Sequence, residues 1–290
     1  MERFGYVRAS SIAEAVTLLN EPGVRSRPLA GGTDLVLLTR AEPSLCDRVV
    51  DISLIPDLHR VYQNDDGVTI GAAATFSEVI ESPIVSQTAP VLAQACQQVG
   101  AVQIRNMGTL GGNVANAAAC ADSLPALVCL DAVARVVTPQ GEREWLVSEL
   151  VRGPNRTIIP PGGLLVSLSY IVPPAGSRSV FIKLGRRNAM AISRLSVAAL
   201  GRLESTGRIA EARLVPGSTT PQICRFRVVE KSLVGQMPSR DLYLSAARLA
   251  ADEMTRLAGR RWSSEFKEPT LVAMTVRALA EVFEIQERDA

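Results

Sequence analysis

Aromatic side chains are scarce, 4% of the 290 residues, too few for the ring platforms on which single-stranded nucleic acid stacks. Histidine occurs once, at His59. A lone imidazole supplies neither a Ser-His-Asp triad nor a multi-histidine metal site, and a loop or surface place is expected for it. The five cysteines, Cys46, Cys96, Cys120, Cys129 and Cys224, are odd in number and form no C-x-x-C pair. Neither zinc nor an iron–sulfur cluster is expected on this chain, and the thiols read as small buried hydrophobes. Blocks of like charge are missing too: 31 basic residues nearly balance 29 acidic ones, leaving a formal charge of +2. With no polybasic field for nucleic acid or anionic lipid, small molecules and proteins are the expected partners. The start, Met1-Glu2-Arg3-Phe4-Gly5-Tyr6, lacks the apolar stretch of a secretory signal, and the longest Ala/Val/Leu-rich run is broken by Asp122, Asp131 and Arg135. A cytoplasmic protein without a membrane span is expected.

What is present is the composition of a globular protein, 47% hydrophobic and 21% charged, long enough for two or three packed units. In the first third, Ser11 and Glu14 are spaced as a capping box before the apolar positions Ile12, Ala15, Val16 and Leu19, and Gly23 closes that helix. Strands at residues 27–30 and 48–52 complete a small β-α-β-like unit. Residues 58–175 carry strand signals at 68–71, 134–137 and 164–171, with helices after Thr75 and over 90–99. Asp122-Ser123-Leu124-Pro125 reads as a helix start, because Asp offers an oxygen to free amides and Pro is tolerated in the first turn. After the turn-forming Pro173-Pro174-Ala175-Gly176, three strands (180–184, 192–203, 209–215) precede three helices, a pattern of α+β type. The expected units are 1–57, 58–175 and 176–290.

Two glycine-rich segments stand out: Ala30-Gly31-Gly32-Thr33-Asp34 and Gly108-Thr109-Leu110-Gly111-Gly112-Asn113. A dinucleotide pyrophosphate needs several backbone N–H donors at once, and residues without a Cβ let the main chain approach it in a concave nest. Either segment alone is weak evidence, since a Gly-Gly before a polar residue is usually just a turn. Neither fits G-x-G-x-x-G or the Walker A pattern.

Read with its surroundings, the second segment is more specific. Residues 99–117, Val99-Gly100-Ala101-Val102-Gln103-Ile104-Arg105-Asn106-Met107-Gly108-Thr109-Leu110-Gly111-Gly112-Asn113-Val114-Ala115-Asn116-Ala117, continuing to Ala121-Asp122-Ser123-Leu124-Pro125, resemble the FAD signature of the flavoprotein subunits of molybdenum hydroxylases of the xanthine dehydrogenase and carbon monoxide dehydrogenase type. Pro28 to Leu35 resembles the other FAD segment of that family. Val68 to Ala72, Phe181 to Arg187 and Arg261 to Lys267 also sit where the family has them, so the similarity spans nearly the whole chain.

The resemblance implies a PCMH-type FAD-binding fold of two subdomains followed by a C-terminal sheet-and-helix domain. It implies that Leu29, Ala30, Gly31, Gly32, Thr33, Asp34 and Leu35, with Thr109, Leu110, Gly111, Gly112 and Asn113, embrace the pyrophosphate and ribityl chain. Asn116 would lie nearby, Asp122 would bond the adenosine part, Leu165 would touch the adenine region, and Lys183 would approach the cofactor. Val99 stands where a relative has an aromatic contact. From local sequence alone, Asp122 reads equally as a helix cap, and Lys183 beside Arg186 and Arg187 as a solvated basic face. No catalytic residue and no metal ligand is implied on this chain. Molybdopterin and [2Fe–2S] clusters would belong to a large and a small partner subunit, in a dimer of heterotrimers, with NAD or another carrier accepting the electrons. A self-sufficient flavin oxidase would need an acid–base residue over the flavin, and His59 is poorly placed for that. A flavin-free structural subunit would leave the paired glycine segments without a purpose.

Overall fold

The computed structural model describes residues 4–187 and 190–283. A first unit carries β1 (Gly5–Arg8), α1 (Ile12–Leu19), β2 (Ser26–Leu29), α2 (Leu35–Ala41) and β3 (Arg48–Asp51), with the strands parallel in the order β1-β3-β2. The Ser11 hydroxyl accepts the Glu14 amide at 3.1 Å, as the capping pattern predicts. The Glu14 carboxylate, however, takes the Ser10 N–H at 2.7 Å, one residue further back than a capping box requires. Helix α1 ends at Asn20, and Gly23 lies in the turn beyond it.

The second unit contains β4 (Val61–Asn64), β5 (Gly67–Gly71), α3 (Phe76–Glu81), α4 (Pro83–Thr88), α5 (Pro90–Gln97), α6 (Val102–Arg105), α7 (Leu110–Asn116) and α8 (Ser123–Cys129). It continues through β6 (Val133–Thr138), β7 (Gly141–Leu146), α9 (Val147–Leu150), β8 (Val151–Gly153), β9 (Arg156–Thr157) and β10 (Leu164–Tyr170). Its main sheet runs β4-β5-β10-β6-β7, antiparallel throughout. Strand β10, at the centre, is apolar on both faces. Leu164 and Val166 join the core of the first unit, while Leu165 and Leu168 join the main core. That two-sided burial is why the strand opens on three consecutive apolar residues, Leu164, Leu165 and Val166, instead of alternating from its start.

The third unit has an antiparallel sheet of β11 (Arg178–Leu184), β12 (Leu195–Leu203) and β13 (Ile209–Gly217), followed by α10 (Arg227–Leu233), α11 (Arg240–Ala258) and α12 (Ser264–Phe283). Successive residues of β12 serve opposite cores. Val197 and Ala199 pack under the helices, while Ala198 and Leu200 pack against the second unit, as period-two geometry requires. The sequence placed this strand from residue 192, but Ile192 is exposed and the ladder begins at Leu195. Among the described residues, no helix is long and apolar enough to cross a membrane.

Helix α8 is buried at every position from Ser123 to Cys129 and packs against β12 and β13. Beside it, an ion network clamps the units together. The Arg225 guanidinium donates to Asp131 at 2.5 Å and to both oxygens of Glu230 at 2.9 Å, while the Leu214 amide donates to Glu230 at 3.0 Å. Without Arg225 the buried Glu230 carboxylate keeps only the Leu214 amide and the exposed Arg227 at 3.6 Å, while Asp131 retains Arg213 and Arg227, so the cost falls chiefly on Glu230. Arg225→Met should therefore destabilise the protein by about 3–5 kcal/mol in urea melts. A loss below about 1 kcal/mol, the range of an exposed ion pair, would show that this clamp carries little.

Candidate functional site

Strand β2 delivers Leu29 to a turn at Ala30, Gly31, Gly32, Thr33 and Asp34, and Leu35 opens α2. Gly32 takes a left-handed φ of +72°, which favours glycine. A Cβ on Gly31 would fall 1.7 Å from the Met107 carbonyl oxygen and 3.0 Å from the Gly108 Cα, so only glycine permits this approach. The two glycine-rich segments, about eighty residues apart in sequence, therefore touch through bare backbone. Among the described residues, the N–H groups of residues 31–35 donate to no protein acceptor. They form a row of free donors at the head of a helix, a disposition suited to an anion.

The second segment behaves differently from the expectation. It is not a loop: Thr109 caps α7, its hydroxyl accepting the Gly112 amide at 3.0 Å. The Leu110 and Gly111 amides donate to the carbonyls of Ala74 and Ala72, both at 2.9 Å. A Cβ on Gly111 would stand 2.5 Å from that of Ala72, so this glycine allows α7 to pack on the 71–75 segment. The Leu110, Gly111 and Gly112 amides are thus engaged within the protein. Asn113 is half-buried and its side-chain oxygen accepts the Ser123 hydroxyl at 2.6 Å. Asn116, also half-buried, makes no hydrogen bond from its side chain among the described residues.

Asp122 is a helix cap in position only. Its φ and ψ are helical and its side chain caps nothing. One carboxylate oxygen instead meets the Lys183 ammonium at 2.6 Å, with both side chains 6% exposed, and Lys183 also donates to the Gln98 carbonyl at 2.8 Å. The solvated basic face read for Lys183 is thus replaced by a buried ion pair. The second oxygen, Oδ1, is buried with no hydrogen-bond partner. Burial pushes the carboxyl up to about 6, opposed by Lys183 and by the Ser193 hydroxyl, which lies close without reaching hydrogen-bond geometry. A buried carboxylate oxygen left open in this way suits a donor from a bound molecule. Leu165 sits beneath, in the main core beside a bulge in β10, and Val99 is packed against that core.

Ala74 and Ser193 had no sequence signal, and Ala72 and Met107 stood out only as members of the family-like segments, because their roles follow from contacts distant in the chain. His59 lies elsewhere, with one ring nitrogen 2.8 Å from the Ser53 carbonyl and the other 3.4 Å from Glu78.

Comparison with known proteins decides the family. Residues 2–174 match the FAD binding domain in molybdopterin dehydrogenase, and residues 180–282 match the CO dehydrogenase flavoprotein C-terminal domain. The chain belongs to this family of FAD-binding dehydrogenase subunits. It is 30% identical to the 6-hydroxypseudooxynicotine dehydrogenase complex subunit alpha of Paenarthrobacter nicotinovorans, over 96% of this chain and 93% of that one. It is 29% identical to the glyceraldehyde dehydrogenase medium chain of Sulfolobus acidocaldarius, over 96% and 98%. A chain of the reconstituted CO dehydrogenase from Oligotropha carboxidovorans superposes with a TM-score of 0.89 at 27% identity, over 97% of this chain and 98% of that one. The protein is accordingly an FAD-binding subunit of an oxidoreductase of the molybdenum hydroxylase family.

Two stability measurements test the buried pair. Lys183→Met should cost about 3 kcal/mol by stranding Asp122, and the double variant with Asp122→Asn should recover much of it; equal losses would contradict the pairing. The folded carboxyl titrates at about 6 against an ordinary 3.8. Between those values the folded state keeps a proton that the unfolded chain has released, so stability falls as pH rises through the window and is flat above it. Asp122→Asn should abolish that fall in urea midpoints; an unchanged slope would refute the assignment.

Proposed function

We propose that the free amides of residues 31–35 hold the FAD pyrophosphate, with Leu29 and Ala30 shaping the approach. Thr109, Leu110, Gly111 and Gly112 form the packed wall that fixes Met107 against Gly31, and Asn113 and Asn116 offer amides to the ribityl chain. Asp122 Oδ1 accepts from the adenosine part, and Leu165 supports the adenine region. Lys183 acts from behind, holding Asp122 ionised and in place. The observation that carries this reading is the row of unpaired N–H groups beside the Gly31–Met107 contact, together with a buried Asp122 oxygen that has no partner. Bound FAD supplies the electron chemistry, and the chain binds it, orients it and excludes water from its phosphate end.

The function that follows is electron transfer: from [2Fe–2S] clusters on a small subunit, through FAD, to a terminal acceptor, with molybdopterin on a large subunit. The relatives named as medium chain and as complex subunit alpha support a heteromeric assembly, here a dimer of heterotrimers. The division into units at 57/58 and 175/176 belongs to the same reading.

Two experiments test it. The purified chain should carry, or take up, one FAD per chain by absorbance, and native mass measurement from the source should find it with a larger molybdenum subunit and a small cysteine-rich one. Isolation as an unaccompanied active oxidase would contradict the assembly. Gly31→Ala should cut FAD content at least tenfold by separating the two segments. Gly23→Ala, left-handed at φ +78° but facing open space, should cost only about 1 kcal/mol of stability and keep its flavin. Full flavin in Gly31→Ala would refute the amide nest.

A further inference from the structure

Helix α8 starts at Ser123, directly after Asp122, and the two neighbouring side chains have different needs. Asp122 presents a buried carboxylate oxygen without a partner. Ser123, 0% exposed, carries a hydroxyl into the protein interior. A hydroxyl closed off from water must place its proton on an acceptor, because leaving that bond unmade costs more than making it gains. Among the described residues the Ser123 hydroxyl has one partner: it donates to the side-chain oxygen of Asn113 at 2.6 Å.

Asn113 lies on α7, where its backbone is already committed. Its N–H donates to the Thr109 carbonyl at 3.0 Å, and its own carbonyl accepts the Ala117 N–H at 3.0 Å. The carboxamide is the part left to act. Its acceptor end and its donor end have nearly the same shape, so packing alone does not decide which end goes where. Ser123 decides it. Were the carboxamide turned over, its NH2 would face a buried hydroxyl whose proton then had no acceptor, a bias against that arrangement on the order of ten- to a hundredfold. With the oxygen tied to Ser123, the NH2 is the end left free. It donates to no group among the described residues and, unlike the Asp122 oxygen, it is not sealed from solvent.

We propose that Ser123 is a positioning residue for the flavin: buried and out of reach of the cofactor, it locks Asn113 with the NH2 outward, so that this point of the site gives a hydrogen bond and does not take one. This rests on the reading that Asn113 faces the FAD, and adds which atom does so and what holds it there. The cofactor atom opposite is then an oxygen acting as acceptor, on the ribityl chain or a phosphate. Asp122, one residue earlier, offers only an acceptor. The dipeptide Asp122-Ser123 thereby sets two opposite polarities in the site, an acceptor directly and a donor through Asn113.

The test is a double-mutant cycle on the dissociation constant of FAD, followed by flavin fluorescence on dilution of the full chain. Ser123→Ala should weaken FAD about tenfold, because the bound geometry then strands the Asn113 oxygen against a methyl group. Asn113→Ala should weaken it by a similar factor. In the Asn113→Ala background, adding Ser123→Ala should change the constant by less than about twofold, since nothing is left to orient. A Ser123 that acts only through the packing of α8, or through Asp122, would give its full loss in both backgrounds, and that result would overturn the proposal. Asn113→Asp is the second probe, at a half-buried position where the fold should tolerate it. It keeps an acceptor for Ser123 but turns an acceptor outward, and should weaken FAD at least as much as Asn113→Ala. Native affinity in Asn113→Asp would show that the outward atom is not a donor, and would also overturn the proposal. Tight FAD binding by the unaltered chain with an additive cycle would sink this inference alone, whereas an unaltered chain that binds no FAD would sink the reading beneath it as well.

Discussion

The Gly31 backbone lying against the Met107 carbonyl is the contact on which the site depends. A side-chain carbon cannot stand 1.7 Å from an oxygen, so the approach exists only because residue 31 has none. It fixes the end of β2 against the entry to α7 and turns the amides of residues 31–35 away from protein acceptors. Gly111 repeats the device one layer deeper, letting α7 sit on Ala72. The two glycine segments thus do unlike work: one leaves donors open, and the other spends its donors on making the wall rigid. Preorganised donors need little rearrangement when an anion arrives.

Around this contact the three units are joined by elements buried on both sides. Strand β10 belongs to two cores, β12 belongs to two cores, and α8 has no exposed face. Lys183, at the end of β11, reaches across to Asp122 at the head of α8. Since the pair is 6% exposed, its electrostatics are set by the protein and not by solvent.

Much of the fold was legible where local rules act. The strands now bounded at 26–29, 48–51, 67–71, 133–138, 164–170, 178–184 and 209–217 were found within a few residues, because apolar runs and turn residues mark them. The short strands Gly5–Arg8, Val61–Asn64 and Gly141–Leu146 were missed: their faces are largely exposed and their sequences mostly polar. The glycine pairs were visible, but their division of labour was not. Whether an amide is free or bonded to Ala72 depends on a partner about forty residues away. Likewise Asp122 and Lys183 each had a bland local reading, and only the packing of β11 on α5, itself packed on α8, makes them a pair.

Hydrogen exchange across the glycine segments, followed by mass spectrometry with and without FAD, tests the central claim most directly. The account predicts that FAD slows exchange strongly at residues 31–35, whose amides are open in the protein alone. It predicts little change at 110–112, whose amides are already bonded within the chain. Protection confined to 110–112, with 31–35 exchanging freely in the presence of bound flavin, would contradict it.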